Sequence, residues 1–442
     1  MTRAIAVALA ALVVAPAAAR AQADTDGGLP SELSLETALR IGRRLQPQLR
    51  QARAQTQAAE ARVDEARAAL LPQVTLNLNY QRATNNFAPS SGGMSIGNTA
   101  PPASFDTFNF YRNSLSASQL IWDFGQTWQK RKAARASADA QEDTERATQL
   151  SSDLAIRSAF YQARATRDAV GVAKETLANQ NKHVEQIQAF TEVGTRPEID
   201  LLQAKTDQAN AEVALINAQN DYATARALLN QTMGVEAPAT YEVTGIASPP
   251  LPGEGTPLEA LVDEALRARP DVAAKLAQLR AQDLSNKATA GRYGPALAAS
   301  TGLTYNGRDI TGLVWNWSGG FTLAWPIFEG GLVRASVREG EAQSAGLRAE
   351  VDIARQQVRV DVDQARLTII AGKAAIAAAE RSLANAKARL DLAEIRYRTG
   401  VGNGIELSDA QLAATNAAFQ LLQATLKLDT ARAQLQKALG RP

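Results

Sequence analysis

Between residues 73 and 81 the chain alternates residue by residue. Val74, Leu76, Leu78 and Tyr80 fall on one face, and Thr75, Asn77, Asn79 and Gln81 on the other. A period of two over about ten residues predicts a β-strand with one apolar and one polar face. Three further stretches carry the period. Leu115, Ala117 and Ile121 share a face, Leu297, Ala299, Leu303 and Tyr305 share one with Thr301, and Trp315, Trp317, Phe321, Leu323 and Trp325 form a longer apolar row. Strands are therefore expected at about 73–82, 113–122, 296–305 and 315–325. Polar stretches at 85–109 and 306–314 join them in pairs as hairpin loops. Apolar-out, polar-in alternation is the pattern of a transmembrane barrel strand, and a hairpin resting on a soluble core is the competing reading. All five tryptophans lie in or beside the return strands. Trp122, Trp315, Trp317 and Trp325 are placed where an interfacial aromatic girdle would sit, which favours the membrane.

The rest of the chain has helical spacing. Residues 126–193 and 332–399 run without an internal proline, on the order of 100 Å of helix at 1.5 Å per residue. Such rods need packing partners, because helix stability comes mainly from burying an apolar stripe. The second rod offers Val351, Ala354, Val358, Val362, Ala365, Ile369 and Ile376, with Arg355, Arg359 and Asp363 on the wet side. Gly194 and Gly400 stop the rods. Return helices follow at about 198–234 and 405–440, and an earlier helix at 35–71 ends at Pro72, as its counterpart ends at Pro295.

These elements come in two copies. Leu35 and Leu258, Pro47 and Pro270, and Pro72 and Pro295 are each 223 residues apart. Trp122 and Phe328, Gly125 and Gly331, Gly194 and Gly400, and Gly234 and Gly440 are each 206 apart. The drop from 223 to 206 leaves the first copy 17 residues longer, in the loop between its strands. The organisation expected is a signal peptide at 1–23, a first repeat at 24–234, a linker at 235–257 and a second repeat at 258–442. Residues 1–23 have a basic start at Arg3, an apolar core and small residues at 19, 21 and 23, which mark export. One chain supplies four strands, and an open strand edge in lipid leaves backbone groups unsatisfied, so a barrel has to close with further copies of the chain.

Composition removes other classes. The net charge is +2, from 47 basic and 45 acidic residues, so no electrostatic case exists for nucleic acid. There is no cysteine and one histidine, His183, and no phosphate loop, metal-spaced cluster or catalytic triad; neither catalytic residues, metal nor cofactor is expected. His183 lies in a polar run and is expected on the solvated surface.

Several local runs, in this order and duplicated, resemble the TolC family of outer-membrane efflux and secretion proteins. They are Leu35-Glu36-Thr37-Ala38-Leu39 with Pro47, Leu258-Glu259-Ala260-Leu261 with Pro270, and Ala68-Ala69-Leu70-Leu71-Pro72. Leu120-Ile121-Trp122-Asp123-Phe124-Gly125, Pro326-Ile327-Phe328-Glu329-Gly330-Gly331 and Arg396-Tyr397-Arg398-Thr399-Gly400 with the run from Ile405 to Gln411 complete the set. The resemblance implies a mainly α protein with a membrane β-barrel: a homotrimer with a 12-strand barrel in outer-membrane lipid and a helical tunnel across the periplasm. It implies a passive duct working with a periplasmic adaptor and an inner-membrane transporter, ABC-type or proton-driven. Asp200, Glu406 and Asp409 match the acids that line the family's entrance. Their other reading is helix capping, since acids in a first turn complement the helix dipole. Val193-Gly194-Thr195 and Thr399-Gly400-Val401 match the adaptor-docking tips. The arginine of the family's closing network is Gly402 here, while the first copy has Arg196 at the matching position. Arg398 with Tyr397 is the expected substitute. A periplasmic coiled-coil adaptor is the alternative, although an adaptor lacks paired strand hairpins.

Overall fold

The computed structural model describes residues 30–85, 104–245 and 248–442. The expected signal peptide and most of the first hairpin loop lie outside the described residues. In chain order the elements are β1 (Glu32–Leu33), α1 (Leu35–Leu45), α2 (Pro47–Ala68), β2 (Gln73–Asn85), β3 (Ser104–Trp122), α3 (Gln126–Glu192) and α4 (Glu198–Met233). Then come β4 (Glu242–Val243), α5 (Leu258–Ala268), α6 (Pro270–Ala290), β5 (Ala296–Gly307), β6 (Val314–Ala324), α7 (Leu332–Arg398) and α8 (Gly404–Ala438). Helix dominates, and among the described residues no helix is long and apolar enough to cross a membrane.

The helix expected at 35–71 is two helices, as is its counterpart. Gln46 (ψ 120°) and Arg269 (ψ 121°) leave the helical region because a proline ring crowds the residue before it. The proline itself opens the next helix without loss, since its missing N–H is one that a first turn leaves unbonded. Each break receives the end of a return helix. Gly234 (φ 74°) and Gly440 (φ 70°) follow α4 and α8, and a Cβ on either would lie 2.8 Å from the backbone of Leu45 or of Ala268.

β2, β3, β5 and β6 form one antiparallel sheet in that order, open at β2 and β6. One chain thus contains no closed barrel. The hairpins obey the duplication: Gln73 opposes Ser118 and Ala296 opposes Ala324, the same pair displaced by 223 and 206 residues. β2 and β3 are longer than expected, so 104–109 is strand and not loop. Phe108 and Phe110 oppose Ala83 and Gln81 on the polar face, which hid the alternation there. A register shift between Leu120 and Trp122 leaves Ile121 without a partner and sets Trp122 opposite Leu297. The apolar face at this end therefore carries Trp122 instead of Ile121.

α3 and α7 are 67 residues each, about 100 Å long. Near the sheet α3 touches α2 and α6, and α6 touches α7. Beyond it the packing order is α4, α3, α8, α7. The stripe on α7 is buried at Val351, Val358, Val362, Ala365 and Ile369, and the last four join Leu261, Val262, Leu428 and Leu435 in one core. A second core gathers Leu33, Ile156, Phe160, Leu229, Met233 and Tyr241. The described residues of 235–257 are stitched to both halves: Leu33 pairs with Val243, and Glu254 pairs with Lys373 and Arg432. Arg164 of α3 and Asp429 of α8 form a buried ion pair between the repeats, and Asp429 also accepts from the Ser248 N–H at 3.0 Å.

Candidate functional site

The two helix turns are built alike. After α3, Gly194 (φ 76°) sends its N–H to Thr191 O and Thr195 to Phe190 O. After α7, Gly400 (φ 78°) bonds Tyr397 O and Val401 bonds Arg396 O. This double bond pattern ends a helix with one left-handed residue, which glycine adopts without strain. The chain reverses, and α4 and α8 start alongside the rods.

The four helix ends share a small core of Val184, Ile187, Ala204, Ala393, Tyr397, Leu407 and Ala410. Tyr397 is its centre, 1 % exposed. The Arg196 guanidinium lies 4.6 Å over the Tyr397 ring and points toward the carbonyls of Tyr397 and Gly402, 3.5 and 3.4 Å away. A part-buried contact of this kind contributes on the order of 1 kcal/mol. His183 meets the same ring edge-on, with centroids 5.3 Å apart at 64°. The histidine expected on the surface is thus buried, because its run of polar neighbours faces outward while position 183 faces α7.

Burial lowers the His183 pKa below 6.5, opposed by the charges of Asp207 and Asp200. Burial raises that of Tyr397, with Arg196 opposing and Asp200 reinforcing. The Tyr397 hydroxyl is buried with no hydrogen-bond partner among the described residues. It borders a recess of about 160 Å³ whose polar lining includes Lys182, Glu394, Arg398 and Gln411. Arg398 is exposed and makes no ion pair among the described residues. The partner over the Tyr397 ring is Arg196, from the other repeat, in place of the expected Arg398.

The expected acids take different positions. Glu406 pairs with Arg396 at 3.3 Å, and its own N–H is capped by Asn403 Oδ1 at 2.7 Å. Asp200 sits half-buried in the first turn of α4, near both rings, and Asp409 is exposed. Gly402 is enclosed: a Cβ there would lie 3.1 Å from Arg396 and Tyr397. The outermost tip exposes four apolar side chains, Val193, Ile199, Val401 and Ile405, among polar ones such as Glu192 and Glu198. The Arg396–Glu406 pair and His183 were missed from sequence, although Arg396 and Glu406 flank the turn glycine closely enough to have suggested the pair. No cluster able to hold a metal ion is present among the described residues.

At the sheet end, Trp315, Trp317 and Trp325 are exposed with Phe321, Leu323, Ile327 and Phe328. Trp325, one residue past β6, also donates from Nε1 to Tyr293 O at 3.1 Å. An apolar sheet face continued by paired 67-residue rods defines an outer-membrane channel subunit, not an enzyme. The chain belongs to the outer membrane efflux protein family, whose sequence profile matches residues 43–235 and 261–441. It is 25% identical over 413 residues to outer membrane protein TolC of Escherichia coli K12, across 89% of this chain and 79% of TolC. It is 24% identical over 400 residues to outer membrane efflux protein BepC of Brucella suis, across 89% and 82%. In fold it is similar to a membrane protein from Pseudomonas aeruginosa, with TM-score 0.80, 21% identity and coverage of 92% and 90%. CusC gives 0.79, 20%, 92% and 92%. Family membership places the protein in the outer membrane, reaching into the periplasm.

Proposed function

We propose that three copies of the chain form a passive outer-membrane exit duct, closed at the helix turns until a partner opens it. The observation that carries this reading is the order of elements. The sheet ends in β2 on one side and β6 on the other, and beyond the sheet the helix layer ends in α4 and α7. Each layer thus offers a first-repeat element at one edge and a second-repeat element at the other. Unlike edges join head to tail and close into a ring, and strands in lipid have to close. With four strands per chain, three copies give the 12-strand barrel.

The free helix edges suit such a ring. Ile199, Leu202, Val213 and Ile216 are exposed on α4, and Ile353, Val360, Leu367 and Ile370 on α7. Many of these spacings are three, four or seven, as in helices packed along a seam. Asp200, Glu406 and Asp409 would line the entrance as repeated charge, with Arg196 and Tyr397 holding it shut and Arg398 bordering it. The exposed tips at residues 193–195 and 399–401 are the contact for a periplasmic adaptor. The sequence carries no nucleotide-binding loop, and in this reading export draws its energy from an inner-membrane transporter. That transporter, ABC-type or proton-driven, decides between protein secretion and drug efflux.

The test is mass and transport together. Protein extracted in detergent is expected at three chain masses, and reconstituted protein alone should move no solute against a gradient. A single-chain mass, or uphill transport by purified protein, overturns the proposal.

A further inference from the structure

From the duplication we infer that the seam between copies at the membrane boundary repeats the seam inside each chain, with knob and hole exchanged. This rests on the ring proposed above. Inside the chain, the start of α3 meets the end of α6. Phe124 covers Gly294 so closely that a Cβ on Gly294 would lie 2.1 Å from the ring. Phe124 takes a left-handed backbone to do so, φ 55°, the one non-glycine residue with positive φ among the described residues. A residue with a side chain rarely adopts that conformation, and here it brings the ring onto Gly294.

The counterpart of Phe124, 206 residues on, is Gly330, also left-handed (φ 62°), with nothing within 4 Å of the place its Cβ would occupy. The counterpart of Gly294, 223 residues back, is Leu71, half exposed. Where the first seam has Phe over Gly, the second has Leu facing Gly. The knob has moved to the other partner, and Leu71 of a second copy fits the space over Gly330.

Two observations make the transfer legitimate. Gln119 Nε2 donates to Leu70 O at 2.8 Å, and Trp325 Nε1 donates to Tyr293 O at 3.1 Å. These are the same bond under the same two offsets, so the junctions of both repeats are built alike. The strand register also transfers with its faces in agreement. Inside the chain Leu115 opposes Leu303, Ala117 opposes Thr301, and Trp122 opposes Leu297. Between copies the same positions set Phe321 opposite Tyr80 and Leu323 opposite Leu78, apolar beside apolar on the outward face. All four are exposed in the single chain, as is Leu115 within its own pair, so the faces agree across the seam.

The chain has no cysteine, so introduced pairs are the sole thiols. In outer membranes, Leu71→Cys with Gly330→Cys, and Tyr80→Cys with Phe321→Cys, should give disulfide-linked dimers and trimers on denaturing gels. The slipped pair Tyr80→Cys with Leu323→Cys should give several times less. Leu71→Gly or Gly330→Phe alone should lower detergent-stable trimer by roughly tenfold, and the double variant should restore it to within about twofold. Trimers that cross-link at the slipped pair, or a double variant as weak as its parents, overturn this seam while leaving the duct reading standing. Variants and parent that are all monomeric overturn both.

Discussion

His183 is packed edge-on against Tyr397, and burial holds its pKa below the ordinary 6.5 while Asp207 and Asp200 pull it back up. In the proposed gate, opening the tip would expose the ring, so the open state would take a proton more readily than the closed one. Closure is then fully supported above about pH 6.5 and weakens as the pH falls through that value toward the lowered pKa. The groups around it decide the size of the effect: Lys182 on its own helix, Asp200 and Asp207 on α4, Glu394, Tyr397 and Arg398 on α7, and Gln411 on α8. Conductance in planar bilayers is expected to rise between pH 7 and 5, and His183→Gln should flatten that rise. An unchanged pH profile in the variant would remove the histidine from the gate. This residue also marks the limit of reading the chain unaided. A lone histidine among Asn, Lys and Glu looks solvated, and only its packing on the Tyr397 ring of α7, far off in sequence, shows that it turns inward. The acids beside the turn glycines were legible, because their spacing from Gly194 and Gly400 is local. Arg196 was noted, but its seat on Tyr397 depends on contact between residues 201 apart.

The breaks between α1 and α2 and between α5 and α6 are filled by the ends of α4 and α8. Gly234→Ala combines two costs: a left-handed residue acquires a side chain, and its Cβ meets the Leu45 carbonyl at 2.8 Å. We expect a loss of more than about 2 kcal/mol, read as a lower thermal midpoint and less trimer in the membrane. A variant as stable as the parent would show that α1 and α4 yield easily. Element types were plain in the sequence where one periodicity ran long, as in the 67-residue rods and in β2. Element ends were less so. Pro47 was visible as a landmark, yet the helical pattern runs through it, and the break follows from ring crowding on Gln46. The start of β3 was hidden because Phe108 and Phe110 lie on the polar face, so composition suggested a loop where backbone pairing makes a strand.

For the assembled molecule, replacing Asp200, Glu406 and Asp409 together with alanine should raise single-channel conductance and relieve block by divalent cations. The thermal midpoint should move little, because the Arg396–Glu406 pair is half exposed and such pairs contribute roughly 0–1 kcal/mol. Unchanged block would leave capping as the role of these acids. The duplication was the most legible feature of the whole chain, since matched offsets need no structure, whereas the closed ring depends on copies that one sequence does not depict.

In the ring proposed above, the buried Arg164–Asp429 pair would have a counterpart. It joins α3 to α8 within a chain, and the matching positions between chains are Ile370 on α7 and Ala223 on α4. Thr176 and Thr415, hydrogen-bonded within the chain, become Ser382 and Ala209, and the bonded Gln180 and Gln411 become Ala386 and Lys205. In the proposed ring three joints would thus be tied by an ion pair and side-chain hydrogen bonds within each chain, while the three between chains would lack those bonds. Unequal joints give a tube a preferred place to part. Widening at the far end would concentrate at the three joints between chains and leave each chain's two halves travelling as one stave.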